Sequence, residues 1–320
     1  MKTNQTKSNP FEFSDTNKRY YTYDYYLKST FGGKVAKIPL DCGFTCPNID
    51  GSRGVGGCIY CSKRGSGDFA PSPTLSITDQ FNIAKNNIGK KWNTQMYIPY
   101  FQAHTNTYAD IKLLRKLYYE ALEQNGVVGI NIATRADCLP NEVISLLVEL
   151  SELTHLTVEL GLQSTHNTTG KIINRCHTYE DFMHGYNKLR DASDKIKICI
   201  HLIEGLPGED YNMMLESGKK IAQIHPDQVK IHSLNVLRDT ALADIYNRGA
   251  YTPITKEDYI KIVCDTLEIL PKDIVIGRLT GDGAASYLIA PLWTKLKNDV
   301  LNSIDKEMYK RGSYQGIYSI

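Results

Sequence analysis

Residues 127–162 read VVGINIATRADCLPNEVISLLVELSELTHLTVELGL, and the spacing of apolar residues changes twice inside them. VVGINIA at 127–133 and LTVELGL at 156–162 are short apolar runs of strand length, while the stretch at 141–150 between them carries helical spacing. Strand, helix, strand at this interval argues for a βαβ unit and a parallel sheet. The alternation continues in both directions. Strand-like runs fall at 34–40 (KVAKIPL), 96–101 (MYIPYF), 196–203 (IKICIHLI) and 228–236 (QVKIHSLNV). Helical patterns fall at 77–88, 111–124, 179–191, 213–224 and 256–270. About six units result, short of the eight that close a TIM barrel. DIVIGRL at 273–279 is expected to add a strand. The reading is an α/β fold of one domain: a lead-in at 1–30, a barrel-like core at 31–250 and an extension at 251–320 packing on it.

Composition narrows the class. The apolar share of 42% is enough for a substantial core, so disorder throughout is excluded. The formal charge of +2 excludes neither nucleic acid nor small substrates, because a local basic patch can sit inside a balanced total. The start, MKTNQTKSNPFEF, lacks the apolar segment of a signal peptide. No apolar run approaches the roughly 20 residues of a spanning helix. A cytoplasmic protein with no membrane partner is expected. In that compartment eight cysteines point to metal ligands or catalytic thiols rather than disulfides.

The stretch 41–61, DCGFTCPNIDGSRGVGGCIYC, gathers three of them: Cys46, eleven residues, Cys58, two residues, Cys61. A C-x2-C pair clamps one metal centre, and a third cysteine closes the site. Structural zinc takes four tetrahedral ligands. A [4Fe–4S] cluster on three thiolates leaves one iron open for a further ligand. Cys42 can supply a fourth sulfur. Gly51, Gly54, Gly56 and Gly57 let the loop wrap with N–H groups aimed inward, toward sulfides carrying negative charge. The loop follows the first strand, where parallel α/β barrels keep their active face. Spacing leaves iron–sulfur, zinc and unrelated thiols open, with iron–sulfur preferred.

At these residues the chain resembles the radical SAM (S-adenosylmethionine) superfamily, and within it the YhcC/YtqA-like group. That group is related to the Elongator catalytic subunit and to oxygen-independent coproporphyrinogen oxidase. The superfamily spacing is C-x3-C-x2-C; this branch widens the first gap, as CPNIDGSRGVGGCIYC does. The resemblance runs from NPFEFSDTNKRY to RGSYQG, through YFQAHTNTYA, IATRADCLP, VELGLQS, INRCH, HLIEGLPGE and LTGDG. It implies a partial (β/α)6 barrel with a [4Fe–4S] cluster on Cys46, Cys58 and Cys61. It also implies SAM, reductively cleaved to a 5′-deoxyadenosyl radical, and an electron donor such as flavodoxin or ferredoxin. Site residues follow by motif. Tyr60 lies beside the adenine. Thr134, Arg135, Gln163 and Arg175 reach ribose and carboxylate, His201 meets the ribose, and Leu206 offers backbone groups to adenine. Gln102 stands near the usual Gly-Gly-Glu, which is absent here and replaced by FQAHTNT.

Other residues carry weaker signals. Cys42 is expected to be a spare thiol, and Cys138, Cys199 and Cys264 buried hydrophobes. Cys176, in NRCH, is a candidate second catalytic thiol weighed against a structural role. Glu159, a charge on a barrel strand, is expected to point inward with a partner and a function. His104 is either a rim residue or a plain loop histidine. Arg278 and Asp282 are candidates to cover the open side, and Lys90-Lys91 to lie on a solvated face. Three functions compete: a radical SAM enzyme acting on a tRNA wobble-uridine side chain, one acting on a small metabolite or protein, and a non-catalytic zinc module. The tRNA reading draws on the basic, Tyr-rich ends as surfaces for bases and phosphates.

Overall fold

In the computed structural model, helix α1 (Tyr23–Phe31) precedes β1 (Val35–Leu40), and helices and strands then alternate. They are α2 (Ile77–Gly89), β2 (Met96–Phe101), α3 (Ile111–Leu122), β3 (Gly129–Thr134), α4 (Asn141–Leu153) and β4 (His155–Gln163). Next come α5 (Asn167–Ile172), α6 (Tyr179–Ala192), β5 (Lys197–Glu204), α7 (Tyr211–Ile224) and β6 (Gln228–Ser233). After β6 follow β7 (Val236–Leu237), α8 (Ala241–Asn247), α9 (Lys256–Ile269), β8 (Val275–Arg278), β9 (Leu288–Ala290) and α10 (Lys297–Arg311). The structure describes residues 9–65, 67–90, 92–281, 283 and 285–319. Lys91 and Asp282 lie outside the described residues.

Strands β1, β2, β3, β4, β5, β6 and β8 form one parallel sheet in that order. This is the partial (β/α)6 barrel expected, with the strand read at 273–279 extending it at one edge. β7 and β9 make a separate antiparallel pair. Helix starts are written in the sequence: Asp110 caps α3, and Thr178 with Asp181 forms a capping box on α6.

The strands divide their residues by parity, because successive side chains face opposite sides. Ile38, Phe101, Ile132, Val158, Leu160, Ile200 and Ile231 face outward. They are buried against Phe81, Leu114, Leu147, Phe182 and Ile221. Each such side chain contributes about 1.5–3 kcal/mol on burial. The alternate residues face inward and are polar: Lys37, Tyr100, Asn131, Glu159, His201 and Lys230 meet one another by hydrogen bonds. A closed TIM barrel fills this space with apolar layers; here it is left for chemistry.

The open side is bridged by the chain's two ends. Ile276 of β8 donates to the Tyr21 carbonyl at 2.7 Å, and α1 then lies beside β1 with the Tyr23 ring 4.4 Å from Lys37 Nζ. Gln315 in turn holds the lead-in, since its N–H reaches the Arg19 carbonyl and its side chain accepts from Tyr21. The tyrosines of the lead-in are therefore spent on packing. Tyr20 is buried, Tyr21 stacks on Phe13, and none from 20 to 26 is exposed. These rings are buried or half-buried rather than free, whereas Tyr309 and Tyr318 near the other end are exposed.

Among the described residues, no helix is long and apolar enough to cross a membrane.

Candidate functional site

The loop after β1 is a chain of tight turns. Ile49 N–H bonds the Cys46 carbonyl at 2.8 Å, and Cys61 N–H bonds the Cys58 carbonyl at 3.0 Å. Gly56 and Gly57, at φ +82° and +73°, turn it back toward Cys58. Cys46, Cys58 and Cys61 thereby line one cavity of about 670 Å³ that runs from the strand ends into the barrel. All three thiols are free.

Polar donors already aim at these sulfurs. Asn48 Nδ2 lies 3.3 Å from Cys58 Sγ, and Thr105 Oγ1 lies 3.1 Å from Cys46 Sγ. The Cys58 thiol is pulled down to about 6, first by its hydrogen bond with Cys61, then by Asn48 and the charge of Arg135, against burial. Cys61 moves up correspondingly, holding the proton the pair shares. Cys42 differs. Burial pushes it up to about 12, and it packs against the main core.

The spacing of the thiols bears on the metal. Among the described residues only Glu159, Cys199 and His201 place three ligand atoms mutually within 4.8 Å, so Cys46 stands off from the Cys58–Cys61 pair, whose two sulfurs are near enough to hydrogen-bond. Tetrahedral zinc at about 2.3 Å from each sulfur holds neighbouring sulfurs about 3.8 Å apart. A four-iron cluster is a larger object held by thiolates at its corners, which suits a triad in which Cys46 stands apart from the C-x2-C pair. The Glu159 group is no cation site, because both its oxygens take N–H and O–H donors, two of them ammonium groups.

Tyr60, Gln102, Thr134, Arg135, Gln163, Arg175, Glu159 and His201 line the same cavity as the cysteines. Arg135 is clamped by both oxygens of Asp137 at 2.9 Å and donates to the Arg175 carbonyl at 2.7 Å. Arg175 is fully buried. It gives Nη1 to the Leu162 and Ser164 carbonyls and Nε to the His177 carbonyl, and no carboxylate pairs with it among the described residues. Its Nη2 has no partner there either. A Cβ on Gly170 would sit 2.9 Å from that nitrogen, so the chain leaves room for it. Thr134 is occupied by Thr107 at 2.5 Å. His201 turns to Glu159 at 2.8 Å, deeper in the barrel than the thiols.

Two candidates are elsewhere. Leu206 packs in the second apolar cluster, with Tyr60 at its edge. Cys176, at φ +60°, sits behind the loop, where a Cβ on Gly54 would come 2.6 Å from its sulfur. His104 and Arg278 do reach the cavity wall. Sequence reasoning passed over Asn48, Thr105, Lys37, Tyr100, Lys230 and His232. For the barrel residues a signal was present: counting by twos places His201, Lys230 and His232 on the same face of their strands as Glu159.

The free thiols, the donors on two of them and the unpaired Arg175 nitrogen fit a cluster with a carboxylate-bearing ligand beside it. Comparison with known proteins bears on the family. The model of the radical SAM superfamily matches residues 50–221, and that of the radical SAM C-terminal domain matches 226–310. The chain is 46% identical to the uncharacterized protein YtqA of Bacillus subtilis, over 97% of this chain and 96% of that one. It is 31% identical to a tRNA uridine(34) acetyltransferase of Methanocaldococcus jannaschii, over 51% of this chain and 30% of the acetyltransferase. Among solved structures, Methanocaldococcus infernus Elp3 lacking residues 1–46 superposes with a TM-score of 0.66 at 21% identity. That match covers 88% of this chain and 64% of Elp3, and bears on the fold alone.

Proposed function

The chain belongs to the radical SAM superfamily, and from that premise we propose that it is a radical SAM enzyme holding a [4Fe–4S] cluster on Cys46, Cys58 and Cys61. When bound, the cluster and SAM supply one-electron cleavage of a sulfonium and hydrogen-atom abstraction from a substrate. The observation that carries the reading is the triad of free thiols beside a buried guanidinium with an unpaired nitrogen, above a polar chamber. In this reading Arg175 Nη2 receives the methionine carboxylate of SAM, and Tyr60, held against both C-x2-C thiols, flanks its adenine. Arg135 positions Arg175 by holding its carbonyl. Gln102, Thr134 and Gln163 contribute polar groups to the same wall. A reducing protein such as flavodoxin or ferredoxin supplies the electron.

For the substrate we propose a uridine side chain of tRNA. Support comes from the segment shared with a protein named for uridine 34 of tRNA, and from the mouth itself. There Phe69, 56% exposed, offers a face for a splayed base.

Two measurements test this. Anaerobic purification should give a brown protein with about four irons per chain; a colourless protein with one zinc overturns the cluster. Nucleosides of tRNA from a deletion strain and its parent should differ at uridine derivatives; identical profiles overturn the tRNA assignment.

A further inference from the structure

Among the described residues, the floor of the barrel holds one carboxylate and more than one cation. Glu159 Oε1 accepts from Lys37 Nζ at 3.1 Å and Asn131 Nδ2 at 2.8 Å. Its Oε2 accepts from Tyr100 OH at 2.7 Å, shares a hydrogen bond with His201 Nε2 at 2.8 Å, and meets Lys230 Nζ. Both oxygens are saturated, so Glu159 has nothing left for a substrate.

The lysines do. Each ammonium has three N–H donors. Lys37 gives one to Glu159 and otherwise faces the rings of Tyr23 and Tyr100, at 4.4 and 4.8 Å. Lys230 gives to Glu159 and to Tyr100 OH at 3.3 Å, leaving one. The strand beside it is pared back to seat it: a Cβ on Gly277 would come 2.9 Å from Lys230 Cγ. His232 adds a buried Nε2 with no partner among the described residues, and its ring centroid lies 5.2 Å from that of His201.

Among the described residues two ammonium groups meet one carboxylate here, Lys230 buried and Lys37 24% exposed, which leaves a positive charge on the cavity wall. Burial accordingly draws the Lys230 ammonium down to about 8, with Glu159 opposing. A second anion arriving from the rim would remove the imbalance. Pro39, Ala133 and Gly161, all on the cavity wall, are small enough to leave a passage to it.

We propose that this floor receives a terminal anionic group of the substrate, a carboxylate or a phosphate monoester, on Lys230 and Lys37, with Glu159 as the positioning residue that holds both. A carboxylate or a phosphate monoester is terminal by its own chemistry, which sets it apart from a bridging backbone phosphate. Calling the ligand a substrate group rests on the function proposed above; binding of the anion does not.

The test uses the full chain, anaerobically loaded with iron and sulfide and labelled with 13C at lysine Cε. Sodium acetate and inorganic phosphate are titrated separately. The Lys230 and Lys37 resonances, assigned by K230R and K37R, should move saturably with one anion or both. A response to acetate identifies a carboxylate site, and one to phosphate a phosphate-monoester site. E159Q/K230M, which strands no carboxylate if K230M alone fails to fold, should weaken binding at least tenfold. Lysine resonances unmoved by either anion, or equal binding in that variant, overturn the proposal. Iron content and SAM cleavage are measured on the same sample. A loaded, SAM-cleaving protein deaf to both anions sinks this inference alone, while an iron-free one sinks the function above and leaves the titration to judge the floor.

Discussion

Asn48 Nδ2 stands 3.3 Å from Cys58 Sγ and 3.0 Å from the Asn174 carbonyl, joining a proposed cluster ligand to the loop that carries Arg175. A hydrogen bond to a charged sulfur contributes about 1.5–3 kcal/mol. Asn48→Ala should therefore leave the fold intact and release iron to a chelator at least tenfold faster than the parent. Equal release rates would show that the bond does not matter to the bound metal.

Five of the eight cysteines should separate cleanly by iron content. Cys46→Ala, Cys58→Ala and Cys61→Ala should each lose bound iron. Cys42→Ala should keep it, because that thiol is packed into the core and held protonated near 12. Cys176→Ala should also keep it, since its sulfur lies behind the loop against Gly54 rather than on the cavity wall. Iron and sulfide analysis of the five proteins decides, and loss of iron in Cys176→Ala would make that residue a ligand.

Glu159 is worth more than its neighbours to stability. Glu159→Gln keeps the shape but strands the buried Lys230 ammonium and the half-buried one of Lys37, and breaking a buried pair from one side costs about 3–5 kcal/mol. Glu159→Gln/Lys230→Met removes one of the stranded charges and should recover part of that loss. Urea unfolding of the parent, single and double variants reads this directly. A double variant no more stable than Glu159→Gln would mean the two side chains are not energetically coupled.

The architecture was legible because a parallel sheet needs apolar outer faces under helices, and runs such as LTVELGL declare them. The cysteine loop was legible because spacing alone names a metal site. The interior was harder to read. Glu159 stood out as a charge on a strand, but Lys230 and His232 sit in a stretch, QVKIHSLNV, that reads like any amphipathic strand. Their meeting depends on register between β4, β5 and β6, which the pairing supplies: Glu159 lies beside Cys199, and His201 beside Lys230. Cys176 lies in a motif close to the rim in sequence, yet a positive φ sets its sulfur against Gly54 and off the cavity wall, while Leu206, read for its backbone groups, packs its side chain beside Tyr60. The tyrosines of the lead-in read as surface, because nothing local announces that the two ends of the chain close the open side together.

Helix α6 packs against the turn that carries Arg135 with almost no clearance. A Cβ at Gly185 would come 2.0 Å from the Ala136 carbonyl oxygen, a backbone atom that cannot swing aside. Gly185→Ala should destabilise the protein by about 1–3 kcal/mol, as overpacking does, and weaken SAM binding through the displaced Arg135. Gly89→Ala, where the added methyl meets nothing within 4 Å, is the matched control and should do neither. Thermal unfolding with and without SAM separates the two effects, and an unaltered Gly185→Ala would place α6 farther from the turn.

Two buried histidines contribute to the acid side of the stability profile. Burial, followed by the charges of Arg175 and Arg135, holds His177 down near 3, and burial with Lys230 holds His201 near 4. Both values lie below the roughly 6.5 of an unfolded histidine. Above pH 6.5 neither state carries these protons, and the folded chain keeps its full stability. As the pH falls below 6.5 the unfolded chain binds protons that the folded chain refuses. Stability then drops by about 1.4 kcal/mol per pH unit for each histidine, about 2.7 for the pair. The fall from these two groups ends near pH 4 for His201 and near pH 3 for His177. His177→Asn removes one titrating group, so urea unfolding between pH 6.5 and 4.5 should show a slope shallower by about 1.4 kcal/mol per pH unit. Equal slopes in parent and variant would mean that His177 takes up its proton in the folded state, which its position between two buried arginines argues against.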